Sequence, residues 1–155
     1  MRQEIEKPYM YLNHYSTPGI VFYYLIRKYP AYILRLQNGG FGPRDRMFFN
    51  IEKTFEYTLN VVGDVKELIP EFFFGSGDFL TNTWGVQLGK DNMNKSVGDV
   101  SIPPWADTVQ DFILKNRKAL ESNFLSAQLH YWIDLVFGFK QQGDEALYSY
   151  NLFNS

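Results

Sequence analysis

His130 and Asp134 stand four residues apart in the run "ALESNFLSAQLHYWIDLVFGFKQQG". On a helix that spacing places both on one side, where a carboxylate can orient an imidazole for proton transfer. Hydrolysis would need more: a nucleophile, or a further ligand to hold a metal ion. Neither accompanies the pair, and His14, the other histidine, is too far away in sequence to form a local motif. The pair therefore reads first as a structural contact or as part of a face turned to a partner. A hydrolase using His130 and Asp134 is the competing reading.

The remaining polar clusters have simpler accounts than chemistry. "FGSGDF" around Ser76 lacks the G-x-S-x-G spacing of a nucleophile elbow and reads as a turn. Asp64, Glu67 and Glu71 are carboxylates at helical spacing. Asp64 reads as a helix N-cap with Glu67 completing a capping box, so no metal is needed to explain them. Arg44, Asp45 and Arg46 fall in the first turn of an expected helix, where arginines oppose the helix dipole and call for carboxylate partners elsewhere in the fold. "NKS" at Asn94 fits a glycosylation sequon, a pattern that means little without a secretory signal. There are no cysteines, so disulfides, thiol catalysis and cysteine metal sites are excluded. No residue pattern points to a cofactor.

The elements that would position these residues are mainly helices. Thr17 before Pro18 is a helix start, and the helix is expected to run through "GIVFYYLIRK" to Pro30. "AYILRLQ" reads as a short turn ending at Asn38-Gly39-Gly40. A helix is expected from Pro43 to about Gly63, with Met47, Phe48, Ile51, Phe55 and Leu59 as its apolar stripe. Asp64 to Phe74, "DVKELIPEFFF", is limited by Pro70 to two helical turns at most and reads as a short packed plug. Residues 75–106 keep neither helical nor alternating periodicity. Their many apolar residues, Phe79, Leu80, Trp84, Leu88, Val97, Val100 and Trp105 among them, point to packed extended chain rather than disorder.

Order returns at Asp107, paired with Gln110 at capping-box spacing. The helix that follows places Val109, Phe112, Ile113 and Leu120 on one face and Asp111 beside Lys115 on the other. A further helix carries Leu125, Leu129, Trp132, Ile133, Val136 and Phe137, with Gly138 as its C′ stop. "DEALYSYNLF" begins a last helix. No repeat or linker divides the chain, so the expectation is one mainly α domain with irregular extended core segments.

Composition narrows the function classes. A formal charge of −2 with scattered Lys and Arg gives no basic stripe for nucleic acid. The longest apolar run, "GIVFYYLI", falls far short of the roughly 20 residues that span a bilayer. "MRQEIEKPYMY" has acidic residues where a signal peptide needs an apolar core. Aromatics make up 18% of the chain, so either the core is unusually aromatic or apolar surface is left exposed.

The chain resembles a BEACH domain. "NHYSTPGIVFYYLIRKYP", "LQNGGFGPRDRMF", "DVKELIPEFFF", "VGDVSIPPWA" and "ALESNFLSAQLHYWIDLVFGFKQQG" occur in that family's order and near its spacing, from about Tyr9 to Phe153. "ILRLQNGGFGPRDRMF" looks most like the subgroup typified by the factor associated with neutral sphingomyelinase activation. The resemblance implies helices laid over extended core segments with little regular sheet. It also implies a large cytoplasmic scaffold linked to membrane trafficking, vesicle and lysosome biology, autophagy or receptor signalling, without catalysis or cofactor. A PH-like domain typically precedes the BEACH domain as its protein partner and a WD-repeat propeller follows. Association with endolysosomal membranes would be peripheral, through partners or other domains.

By the same resemblance the fold-defining or partner-binding candidates are His14, Asp45, Arg46, Lys66, Glu67, Pro70, Glu71, Trp105, His130, Trp132, Asp134 and Lys140, with Tyr15, Ser16, Pro103, Pro104, Glu121 and Gln141 beside them. Departures accompany the matches. Residues 1–155 read as a partial BEACH domain, incomplete at both ends. Leu12 and Asn13 stand where a glycine and a small residue are usual, and Gln87 where aspartate is common. Such a chain is expected to expose aromatic surface and to lean on a partner for stability. A truncated product competing with full-length relatives is a further reading.

Overall fold

The computed structural model describes residues 9–10, 18–36, 39–40, 47–61, 64, 66–90 and 96–153. The readings placed on His14, Asp45, Arg46, Thr17 and Asn94 lie outside these residues. Six α-helices are described: α1 (Pro18–Tyr24), α2 (Pro30–Leu36), α3 (Ile51–Asn60), α4 (Val109–Leu120), α5 (Asn123–Val136) and α6 (Gly143–Tyr148). Single turns of 3₁₀ helix occur at Pro70–Phe72, Asp78–Leu80 and Phe139–Gln141.

The core is built around Phe72. Its ring meets those of Tyr24 and Phe79 at 5.0 Å, Phe48 at 6.1 Å and Phe112 at 6.2 Å, centroid to centroid. Ile69, Leu80, Val100, Ala106 and Ile113 close the same cluster. A smaller cluster of Ile26, Ile33, Met47, Leu88 and Val97 continues it. The proline-broken segment is thus a plug, as its phenylalanines suggest. Pro70 starts a 3₁₀ turn whose tightness drives Phe72 inward, where burial contributes about 2–3 kcal/mol. Phe74, two residues on, stays half exposed and lies beneath the Arg117 guanidinium at 5.2 Å.

Of the apolar residues expected to pack in residues 75–106, Phe79, Leu80, Leu88, Val97 and Val100 are buried, whereas Trp84 is 81% exposed and Trp105 half exposed. Only isolated bridges form among the described residues, Asn50 with Ser101 in parallel and Lys90 with Ser96 in antiparallel. Ser101 N–H donates to Phe49 O at 2.9 Å, and Val100 N–H to Leu80 O at 2.8 Å. These bonds satisfy backbone that the irregular segments would otherwise bury unpaired.

Several expected boundaries move. α1 ends at Tyr24 instead of reaching Pro30, because the chain turns to bury Leu25, Ile26 and Arg27. "AYILRL" is helical: Pro30 opens α2 at the position where its missing N–H costs nothing. α3 begins at Ile51, capped by Asn50, whose Oδ1 accepts from Lys53 N–H at 2.8 Å. Met47 and Phe48 are buried in extended chain before it, while Phe55 and Leu59 are exposed, so the proposed stripe is not the packed face.

Asp64 caps no helix, and residues 66–69 are not helical. It accepts instead from the Lys66 backbone N–H at 3.3 Å and from its ammonium at 2.5 Å. This local side-chain bonding competes with helix formation. α4 is capped one residue later than expected. Thr108 Oγ1 accepts from Asp111 N–H, and Asp111 reaches back to Asp107 N–H. Gln110 donates to Ser76 O at 3.4 Å. Val109, Phe112 and Ile113 pack inward as expected, but Leu120 is exposed. The Asp111–Lys115 pair forms at 2.6 Å.

Candidate protein-interaction surface

α5 has the composition of a buried helix without its burial. Ser122 caps it, accepting from Leu125 N–H at 3.3 Å, and Phe137 N–H closes it on Ile133 O at 2.8 Å. Gly138 follows at the C′ position, though not in the left-handed conformation. A side chain there would put its Cβ 2.7 Å from Asp134 Cα, so close approach is what requires glycine. The chain then turns through Phe139–Gln141 into α6, and Asn151 Nδ2 ties the unit by donating to Leu135 O and Lys140 O, both at 2.8 Å. Gln141 Nε2 donates to Val136 O.

No residue of α5 is buried. Phe124, Leu129, Tyr131 and Trp132 all lie more than half exposed, and Phe137 is 72% exposed. Trp132 and Phe137 meet edge to face at 5.8 Å, a contact that fixes both rings at the surface. Leu129, Trp132 and Phe137 of the apolar stripe are thus exposed, in line with the expected exposed aromatic surface. Continuous apolar exposure on this scale marks an interaction surface on a folded protein.

His130 does not engage Asp134: no hydrogen bond or ion pair joins them, and the imidazole lies against the Tyr131 ring at 3.9 Å. The two residues sit one turn apart without the geometry for proton transfer. Trp132 belongs to the exposed face, Asp134 is half buried beside Gly138, and the Lys140 ammonium lies 5.6 Å from the Phe139 ring centroid.

The other candidates form a separate group over the core. The Lys66 ammonium bridges Asp64 and the face of Tyr23, 4.9 Å from the ring centroid. Tyr23 donates to or accepts from Thr54 Oγ1 at 3.1 Å, and burial raises its hydroxyl pKa above the ordinary tyrosine value. Glu67 and Pro70 are exposed and Glu71 is half buried. Trp105, half exposed, stacks on Phe112 at 5.3 Å, and its carbonyl accepts from the Lys115 ammonium at 2.6 Å. No hydrogen bond, ion pair or ring contact among the described residues joins the Lys66–Glu71 group to the His130–Lys140 group. No group of three or more His, Asp or Glu side chains with metal-holding geometry occurs among them either.

A profile of the Beige/BEACH domain matches residues 1–155. The chain belongs to the BEACH domain family. Beige protein homolog 1 of Saccharomyces cerevisiae is 48% identical over 151 residues, covering 95% of this chain and 7% of that protein. Protein SPIRRIG of Arabidopsis thaliana is 47% identical, covering 92% of this chain and 4% of its own length. The human WD repeat- and FYVE domain-containing protein 4 is 47% identical, with 93% and 5% covered. The BEACH chain thus spans only a small part of these relatives. They are BEACH proteins of several kinds and do not single out the neutral sphingomyelinase subgroup. The mostly helical architecture with little strand agrees with a partial BEACH domain.

Sequence reasoning missed Arg27. Its side chain is 1% exposed; Nε donates to Gly98 O at 2.8 Å and Nη1 to Phe48 O at 2.5 Å. Burial pushes the guanidinium down to about 10, which leaves it charged at neutral pH. The available signal was a lone arginine closing the apolar run "VFYYLIR".

Proposed function

We propose that this BEACH chain is a non-enzymatic scaffold, a protein-interaction module of a longer BEACH-type protein acting in membrane trafficking and lysosome or vesicle biology. The exposed apolar face of α5 is the observation that carries the reading. A helix bearing Phe124, Leu129, Trp132 and Phe137 outward gains stability when another protein surface covers it. The family resemblance supports a PH-like domain of the longer protein as that surface. The chain's small share of its relatives' length leaves ample room for such a domain. Any membrane association then runs through partners. Among the described residues no helix is long and apolar enough to cross a bilayer.

The test is a calorimetric titration of the chain with a PH-like domain from a BEACH protein, repeated with Leu129→Gln and Trp132→Gln. Binding that weakens by tenfold or more in variants of unchanged circular dichroism, on the order expected of interface anchors, supports the reading. Equal binding by all three proteins refutes it.

A further inference from the structure

The inner side of α3 is fixed to the core. Thr54 is buried; its hydroxyl donates to Asn50 O at 2.9 Å and lies 3.1 Å from the hydroxyl of Tyr23. Ile51 packs against the Phe72 cluster, and its N–H donates to Ser101 O at 3.1 Å. Turning α3 about its axis to hide its outer side would break these contacts. That outer side carries Glu52, Phe55, Glu56 and Leu59, spaced i, i+3, i+4 and i+7. Phe55 is 63% and Leu59 65% exposed, and both carboxylates are exposed as well.

The arrangement is asymmetric. At about 100° per residue, Phe55 and Leu59 form an apolar ridge next to the buried edge of the helix, and Glu52 and Glu56 form a row on its far side. Lys53 is the one cation in the α3 sequence, and its ammonium lies 5.5 Å from the ring centroid of Phe49, which precedes the helix. The row beside the ridge is therefore acidic. An exposed apolar pair alone is ordinary on a protein surface. Flanked by carboxylates one turn apart, it has the form of a helix-pairing edge, where apolar contacts anchor and flanking charges choose the partner.

We propose that this face of α3 docks a basic amphipathic helical segment of a protein partner. Its apolar side chains cover Phe55 and Leu59, and its Lys or Arg side chains, one turn apart, meet Glu52 and Glu56. Charge selects this occupant. A second copy of the chain presents the same carboxylates and supplies no cation on this face to meet them. An anionic lipid surface or a nucleic acid backbone is repelled by the acidic row. The site lies on a different helix from the α5 face and goes beyond the PH-like docking argued above.

The probe is a capped, alanine-based helical peptide with leucines along one face and lysines at i, i+4 on the edge of that face. It is titrated into the 155-residue chain while the backbone amides of α3 and α5 are followed by NMR. The same peptide with glutamates in place of the lysines is run beside it. The expected result is a saturable shift centred on residues 52–59 for the lysine peptide, with the glutamate peptide binding roughly tenfold more weakly or worse. Reversing both charges, Glu52→Lys with Glu56→Lys, should exchange that preference. Phe55→Ala, a change at an exposed position, should weaken the lysine peptide roughly tenfold. Trp132→Gln, on the α5 face, should leave its binding unchanged. Equal binding of the two peptides, no binding, shifts confined to α5, or an unaltered preference in the charge-reversed chain would each overturn the proposal. So would α3 signals that move with chain concentration in the absence of peptide, which would mark a second copy as the occupant.

Discussion

The rings of Phe72 and Tyr24 meet edge to face, 5.0 Å apart at 85°. This contact joins the turn after Ile69 to α1 and anchors the aromatic cluster that replaces a regular sheet in the core. Phe72→Ala is expected to cost about 3–5 kcal/mol, the range for truncating a buried aromatic. Phe55→Ala, at a site 63% exposed, should fall within about 0.5 kcal/mol. Urea unfolding of the two variants checks the contrast.

α4 offers a test of where its cap lies. Thr108→Ala should cost about 1 kcal/mol, because it frees the Asp111 N–H that Thr108 Oγ1 satisfies. Asp107→Ala should change stability by less than about 0.5 kcal/mol, since only its backbone N–H takes part in the cap. The reverse order in thermal melts would place the cap where the sequence spacing first suggested.

Gly77 and Gly75 separate conformational strain from lack of space. Both have positive φ, 77° and 89°, but a Cβ on Gly77 would lie 2.2 Å from Val109 Cγ1 while one on Gly75 meets nothing within 4 Å. Gly75→Ala should cost about 1–2 kcal/mol from the left-handed backbone alone. Gly77→Ala should cost more, by a further ~1–3 kcal/mol of overpacking between the Asp78–Leu80 turn and α4. Equal losses on chemical denaturation would remove the packing argument.

Alkaline pH probes the buried hydroxyls. Burial raises Tyr23 and Tyr24 above the ordinary tyrosine value of 10.0. A raised folded-state value means stability that is present below pH 10 and is lost as pH climbs through the folded-state values. Arg27 acts in the opposite sense. Its folded value of about 10 lies below the ordinary arginine value, so the unfolded chain holds more protons in that window and stability from this group rises with pH. The tyrosines outnumber it, and a net fall above pH 10 is expected. Tyr24→Phe should preserve stability at pH 7 and shrink the alkaline loss, as read by urea titrations across pH 8–12. An unchanged alkaline profile would show that Tyr24 ionisation is not involved.

Much of this architecture was legible in the sequence, and the failures have physical causes. Pro18 marks an element start because proline fixes φ, and the Asp111–Lys115 pair follows from helical spacing alone; Pro70, read as limiting a helix, instead opens a 3₁₀ turn. The burial of Phe79, Leu80, Leu88, Val97 and Val100 was visible in apolar residues that lacked any period, while Trp84, in the same stretch, is exposed. Phe55 and Leu59 misled because periodicity identifies an apolar stripe without saying whether a neighbour covers it. Asp64 misled because a carboxylate at capping spacing can bond its own loop instead. Arg27 was invisible because its partners are carbonyls of Phe48 and Gly98, brought together only by the tertiary fold. Among the candidate residues, Lys66 gained a defined partner in Asp64, while His130 and Asp134 were placed near each other but not joined.

The most direct test of the central claim is amide hydrogen exchange of the chain alone and with a PH-like domain bound. In the free chain α5 has no buried residue, so its amides should exchange much faster than those of α4, which buries Phe112 and Ile113. The account predicts that binding slows exchange across residues 124–137 while leaving the Phe72 cluster unchanged. Protection of α5 equal to that of α4 in the free chain, or no change there on binding, would contradict it.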